Sequence, residues 1–315
     1  MARYILRRIL LLIFTMLVTS ALIFGLTQLL PGDIARLSLG RDASQVALEL
    51  ERERLGLNTP LPQQYITWLG GFVTGDWGES FNRGSPPVRP LVTARLLNTL
   101  RLAAMTLAIS IPASILLGVL AALRENTWID SIISIFSLSV VGLPEFVTGV
   151  LLINIFAHGL GWFPATTVIA GDFSLVDWLR VLFLPAITAT LVLLGYVSRM
   201  TRAGVIDELK KPYVRTAILK GLPQHQVILK HVLRNALLPT ITVIAISIGW
   251  LIGGLVIIEE VFNYPGLGRE LVAAVRSKNI PVIQAIVMLI VFFFAVSNLV
   301  ADILYALLNP RIRLE

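Results

Sequence analysis

Residues 198–239 read SRMTRAGVIDELKKPYVRTAILKGLPQHQVILKHVLRNALLP, the longest polar interval in the second half of the chain, with apolar runs on both sides. Eight of these residues are basic: Arg199, Arg202, Lys210, Lys211, Arg215, Lys220, Lys230 and Arg234. Such a cluster between apolar segments marks a cytoplasmic loop, here 199–235, because Lys and Arg accumulate on the inner side. A bare connection needs only a few residues, so a loop of this length with helical character is expected to dock something. Residues 213–220 contain neither Pro nor Gly, and Gly221 follows as a helix stop. Leu222-Pro223 then turns the chain, and a second helix is expected over 224–238.

Composition sets the class. The chain has 315 residues, of which 56% are hydrophobic and 14% charged, and its mean hydropathy is +0.81, which reads as an integral membrane protein. There is no Cys, which excludes disulfides, thiolate metal sites and cysteine nucleophiles. The net charge of +7 sits beside apolar segments, so membrane topology accounts for it and nucleic acid is not an expected partner.

The apolar runs predict an all-α protein of six transmembrane helices, near 9–30, 102–123, 131–157, 181–197, 236–258 and 280–301. The first, 22 residues without a charge, is enough to cross about 30 Å of hydrocarbon. Arg3, Arg7 and Arg8 precede the first span and hold the N-terminus in the cytoplasm. Arg124 marks a short cytoplasmic turn, and Arg311 and Arg313 leave the C-terminus inside. No internal repeat or soluble domain boundary appears, so 1–315 reads as one transmembrane domain. Residues 31–101 form a large first external loop, opened by Pro31-Gly32-Asp33, with Asp42-Ala43-Ser44 capping a short helix that Gly56 stops. Gly249-x3-Gly253 in the fifth span has a spacing that allows close helix approach.

Several words in the chain resemble one family. Tyr213-Val214-Arg215, Thr216-Ala217-x3-Gly221 and His231-x-Leu233-Arg234-Asn235-Ala236 are similar to the coupling-loop signature of ABC-importer permeases. The branch resembled is the one handling dipeptides, oligopeptides and nickel. The general family pattern opens on Glu-Ala-Ala and closes on Ile-x-Leu-Pro. Here Arg215-Thr216-Ala217 and His231-x-Leu233-Arg234 stand in those places, so no acidic contact carries over to Arg215. Leu55-Gly56-Leu57-Asn58-x-Pro60, Gln64-Tyr65 and Gly75-Asp76-Trp77-Gly78-x-Ser80 resemble the first external loop of the same branch. So does Leu160-Gly161-Trp162-Phe163-Pro164, and Glu259-Glu260-Val261-Phe262-Asn263-Tyr264-Pro265-Gly266-Leu267-Gly268 looks like its outer-loop signature.

The resemblance implies a translocation subunit in the bacterial cytoplasmic membrane, with four kinds of partner. These are a second permease, two ATPase subunits, an extracytoplasmic solute-binding protein and membrane lipid. It places ATPase coupling on Tyr213, Arg215, Thr216, Ala217, Gly221 and Leu222, and contact with the binding protein on Asp76, Trp77, Glu260, Phe262, Pro265 and Gly266. ATP and Mg would be held by the partners, and no cofactor or metal by this chain. Di- or oligopeptides are the first expected solutes, with glutathione-like peptides, nickel chelates, opines or sugars as alternatives.

Nothing in the sequence indicates chemistry of its own. No Lys follows a Gly, so a Walker A element is absent. Glu259 and Glu260 have no nucleophile or ligand cluster beside them, and His225 and His231 read as surface or packing residues of the basic loop. Glu145, beside Pro144 in the third apolar run, is the one carboxylate expected at membrane depth. It can line the translocation path, make an interhelical contact or sit at the interface. A rival reading is an ion-coupled transporter or channel that uses Glu145 as a relay and needs no ATPase.

Overall fold

The computed structural model describes residues 2–29, 33–40, 42–81, 85–167 and 174–308; Pro31, Gly32, Arg311 and Arg313 lie outside them. The named elements are all helical: α1 (Ala2–Gln28), α2 (Ile34–Leu39), α3 (Gln45–Arg54), α4 (Leu61–Thr74), α5 (Val88–Leu123), α6 (Trp128–Gly142), α7 (Glu145–Leu152), α8 (Leu175–Leu209), α9 (Pro212–Leu219), α10 (Gln224–Gln226), α11 (Leu233–Val261), α12 (Leu267–Arg276) and α13 (Ile280–Leu308). Two π-helical segments, Ile153–Gly159 and Val227–Val232, extend α7 and join α10 to α11. Five helical stretches are long and apolar enough to cross a membrane, and the bent pair α6 with Glu145–Gly159 makes a sixth if it counts as one span. Helices are the form such apolar segments take, because hydrocarbon offers no partner to an open backbone N–H or C=O.

The chain divides into two compact units. One holds Arg101–Tyr264 and the end of α13, and it is organised on α8. A capping box starts α8, with Ser174 accepting from the Asp177 N–H and Asp177 accepting from the Ser174 N–H. Its buried face interleaves Leu, Val and Ile with small and hydroxyl residues, among them Ala186, Thr188, Ala189, Thr190, Gly195, Ser198 and Thr201. Neighbouring helices therefore come to backbone distance. A methyl group on Gly204 would stand 2.5 Å from the Ala236 carbonyl of α11, and one on Gly118 of α5 would stand 2.5 Å from the Ser198 carbonyl. Gly195 lies against Val141 and Ser137 of α6 in the same way. Ser137···Ser198 (3.1 Å) and Thr201···Thr240 (3.3 Å) bond across these contacts, as polar residues do between apolar helices. The Gly249-x3-Gly253 pair is split, Gly249 buried and Gly253 exposed.

The second unit holds Ala2–Leu100 and Pro265–Ala295. Short helices follow their predicted caps: Asp33 accepts from the Ala35 N–H and Ser44 from the Ala47 N–H. Rings pack in a row from α1 along α4, through Phe24, Tyr65, Trp68, Phe72 and Trp77, with centroids 5.4–6.2 Å apart. The Ser20 and Tyr65 hydroxyls bond at 2.7 Å, and Arg54 joins Glu51 and Glu79. Arg54 holds the Glu51 carboxyl below its usual range against the cost of burial.

Two helical arrangements differ from the sequence expectation. The third apolar run is not one rod: α6 stops at Gly142, Leu143 is extended (φ −89°, ψ 133°), and the chain turns through 107° into the helix starting at Glu145. Pro144 explains the break, since it lacks an N–H to donate and bars the helical conformation at Leu143. The helix expected over 224–238 does not end before the fifth span, because Gln224–Val261 runs on as one 38-residue stretch despite Pro239.

The close approach predicts an asymmetry between glycines. Gly204→Ala should cost on the order of 1–3 kcal/mol through overpacking and lower the thermal midpoint of the purified protein. Gly25→Ala, with nothing within 4 Å of its added methyl, should hold or raise that midpoint, since Ala is the better helix former.

Candidate coupling and translocation sites

The basic stretch forms a short helix fixed at both ends. Pro212 occupies the first position of α9, where its missing N–H is not needed. At the other end Gly221 adopts φ +77°, and the Leu222 N–H bonds the Ala217 carbonyl at 3.3 Å, closing a Schellman-type turn. That left-handed φ is what Gly supplies without steric cost. Val214 and Ala217 are buried, and with Tyr213 and Leu222 they pack on Ala122, Val205, Ile206, Val227, Val232 and Ala236. Tyr213 donates to Glu208 Oε1 at 2.6 Å, Lys211 Nζ lies 2.5 Å from Glu208 Oε2, and the Asn235 amide donates to the Tyr213 oxygen at 3.3 Å. Burial first, and then the bond to Glu208, raises the Tyr213 hydroxyl pKa. Glu208, itself 5% exposed, thus ties the start of α9 to the end of α8.

The residues expected to act in coupling divide by face. Arg215 and Thr216 are exposed, Gly221 is exposed at the turn, and Tyr213, Ala217 and Leu222 face the packing side. The outward face also carries Ile218 (58% exposed) and Leu219 (79%), which the sequence reading did not single out. Their signal was legible in principle, since the helical period that turns Val214 and Ala217 inward turns these two outward.

Further along α8, Arg202 grips Asp130 through two bonds of 2.6 Å, a fork-on-carboxylate geometry. Asp130 is 5% exposed and also accepts from the Asn126 N–H and the Ser134 hydroxyl. The pair locks the start of α6 to α8, and nothing in the sequence links two residues so far apart.

At the α6–α7 break the structure opens a cleft of about 580 Å³. Both path candidates, Pro144 and Glu145, line it together with Phe146, Tyr196, Ser247 and Trp250 among others. Glu145 Oε2 is out of contact with solvent and has no hydrogen-bond partner.

The residues expected to meet a binding protein are of two kinds. Asp76 and Glu260 are exposed and Trp77 is half-buried, stacked on Phe72 and donating to its carbonyl at 3.2 Å. Phe262 is wholly buried and Gly266 is buried, and the Pro265 carbonyl accepts from Asn98 at 2.9 Å, so these build the turn. Phe262 accepts from both the Thr167 N–H and hydroxyl. Trp162 packs on Phe156, Phe163 stacks on Phe183, and the Arg101 guanidinium lies over the Trp178 ring. Among the described residues, no cluster of His, Asp or Glu can hold a metal ion.

A multi-helix chain with a short, braced helix between two long apolar ones and a cleft at a broken helix is a multi-pass membrane permease. The chain belongs to the family "Binding-protein-dependent transport system inner membrane component", whose sequence pattern matches residues 114–314; the companion N-terminal pattern matches 1–101. It is an ABC permease of the peptide and nickel type of branch. It is 39% identical over 313 residues to the glutathione transport system permease protein GsiC of Pectobacterium atrosepticum, covering 99% of each chain. The counterpart in Escherichia coli K12 is 38% identical, again over 99% of each. A chain of a solved amino acid ABC transporter with histidines aligns at 16% identity and a TM-score of 0.49, over 70% of this chain and 94% of that one.

The Asp130–Arg202 fork yields a prediction. Arg202→Met leaves a buried carboxylate unpaired, a loss on the order of 3 kcal/mol, and should lower the yield of folded protein. Asp130→Asn should cost less, because Arg202 is 30% exposed and can turn to water. Thermal unfolding of both variants in detergent checks the order.

Proposed function

We propose that this chain forms half of the translocation path of an importer for peptide-like solutes, glutathione among them, in the bacterial cytoplasmic membrane. A second permease completes the path, two ATPase subunits holding ATP and Mg drive it, and an extracytoplasmic binding protein delivers the solute. Support for the solute class comes from the full-length likeness to glutathione permeases. In this reading residues 1–315 are one transmembrane domain with both termini and α9 in the cytoplasm, and α2–α4 form an outer cap that meets the binding protein. The observation that carries the coupling role is the geometry of α9. Its inner face is anchored to α8 by Glu208, while Arg215, Thr216, Ile218 and Leu219 stand clear for an ATPase groove.

Gly221 tests it. A β-branched residue at φ +77° costs about 1–2 kcal/mol, enough to shift α9 and too little to unfold the chain. Gly221→Val should assemble with its partners, yet glutathione uptake and binding-protein-stimulated ATP hydrolysis in proteoliposomes should both fall at least about tenfold. Gly221→Asn, which tolerates the left-handed conformation, should recover most of both. Unchanged uptake and hydrolysis in Gly221→Val would remove α9 from coupling.

Orientation is tested separately, and the absence of native Cys keeps the background clean. Single cysteines at the exposed positions Gln63 and Ser277 should react with an impermeant reagent in spheroplasts. One at Lys211 should react only after permeabilisation; external labelling there would reverse the topology.

A further inference from the structure

The cleft at the α6–α7 break has one carboxyl side chain in its wall, and one of its oxygens has no hydrogen-bond partner. Glu145 is the only carboxyl among the described lining residues, and no Lys, Arg or His lies beside it there. Val192, Leu193, Ile246 and Phe146 make the surroundings apolar, and the Ser247 hydroxyl is engaged by the Val243 carbonyl at 2.8 Å. Arg199, one turn from Tyr196 on α8, directs its guanidinium to the Gly195 carbonyl and the Tyr196 ring and is not in the wall.

A carboxylate oxygen withdrawn from water without a donor is unfavourable, and such groups persist where something else supplies the missing partner. The start of α7 favours negative charge at this position but gives Oε2 no hydrogen bond. An ammonium group brings what is lacking, a positive charge and several donors on one atom. Trp250 adds aromatic surface of the kind that attracts cations. An anionic group would find no Lys, Arg or His in this wall. The volume of about 580 Å³ is within the range of small-molecule sites.

We infer that Glu145 receives the protonated amino group of the solute, so that the cleft accepts peptide-like solutes with a free ammonium and rejects those in which it is blocked. The inference rests on the reading of the chain as a permease for peptide-like solutes, and it names the part of the solute that this site reads. Selectivity then arises partly inside the membrane, in addition to whatever the binding protein exerts.

The test is binding to the assembled transporter in nanodiscs without the binding protein, so that only the membrane path discriminates. Glutathione and N-acetylglutathione serve as probes, since acetylation removes the ammonium and leaves both carboxylates. The wild type should bind N-acetylglutathione at least about tenfold more weakly. Glu145→Gln should bring the two ligands to parity, Glu145→Asp should keep a preference, and Trp250→Leu should reduce it. Equal binding of both probes by the wild type, no binding of either, or an undiminished preference in Glu145→Gln would each overturn the site. Uptake by the wild-type complex with its binding protein is measured alongside. Uptake of glutathione without any ammonium preference in the membrane path sinks the site alone, whereas no uptake of glutathione sinks the proposed solute class as well.

Discussion

The contact on which the rest of the larger unit depends is the approach of α8 to α5, α6 and α11 at backbone distance. Between apolar helices in lipid there is little hydrophobic gain in associating, so close packing and interhelical hydrogen bonds hold them. Gly118, Gly195 and Gly204 allow that approach by lacking a Cβ. Ser137, Ser198, Thr201 and Thr240 then bond across it. The same helix is fixed at its other contacts by groups that water would weaken, the Arg202–Asp130 fork and the Glu208 anchor for α9.

Much of this was legible in one sequence because membrane helices are written as long apolar runs. The runs at 102–123, 181–197 and 236–258 locate α5, α8 and the Gln224–Val261 helix, yet each helix is longer than its run. Hydropathy sees the part that lipid demands, and a helix continues into polar sequence wherever packing supports it, as α8 does to Leu209. The turn at Gly221 was legible for a local reason, since a Gly after an unbroken helical stretch supplies the left-handed residue that ends it. The third apolar run reads as one span although Pro144 lies within it, and the 107° turn there separates two helices instead of bending one.

The unread part is non-local. Asp130 with Arg202, Asn98 with the Pro265 carbonyl, and Asn279 with Ser80 (2.7 Å) join residues far apart in the chain. No local pattern announces such pairs. The outer-loop word containing Phe262 and Gly266 illustrates the limit from the other side. A recognisable word marks a place that matters, but burial shows that these two serve the turn's own architecture.

The second half of α8 connects the candidate sites physically. Leu193 and Tyr196 stand in the cleft wall and Glu208 holds α9, about 18 Å further along at the helical rise of 1.5 Å per residue. Pro185 lies before this stretch, and no Pro or π segment interrupts the helix between Tyr196 and Glu208. The packing of Gly195, Ser198, Thr201 and Gly204 against three neighbours leaves little room for bending in between. Under the proposed coupling role, a displacement of α9 would pass to α8 as movement of a nearly rigid rod and would reach the cleft at Tyr196. Arg202 links the same rod to the start of α6, whose far end is the Leu143–Pro144 break. α8 thus touches the helix α9, the start of α6 and the cleft wall at Leu193 and Tyr196, which gives the proposed coupling a continuous physical connection.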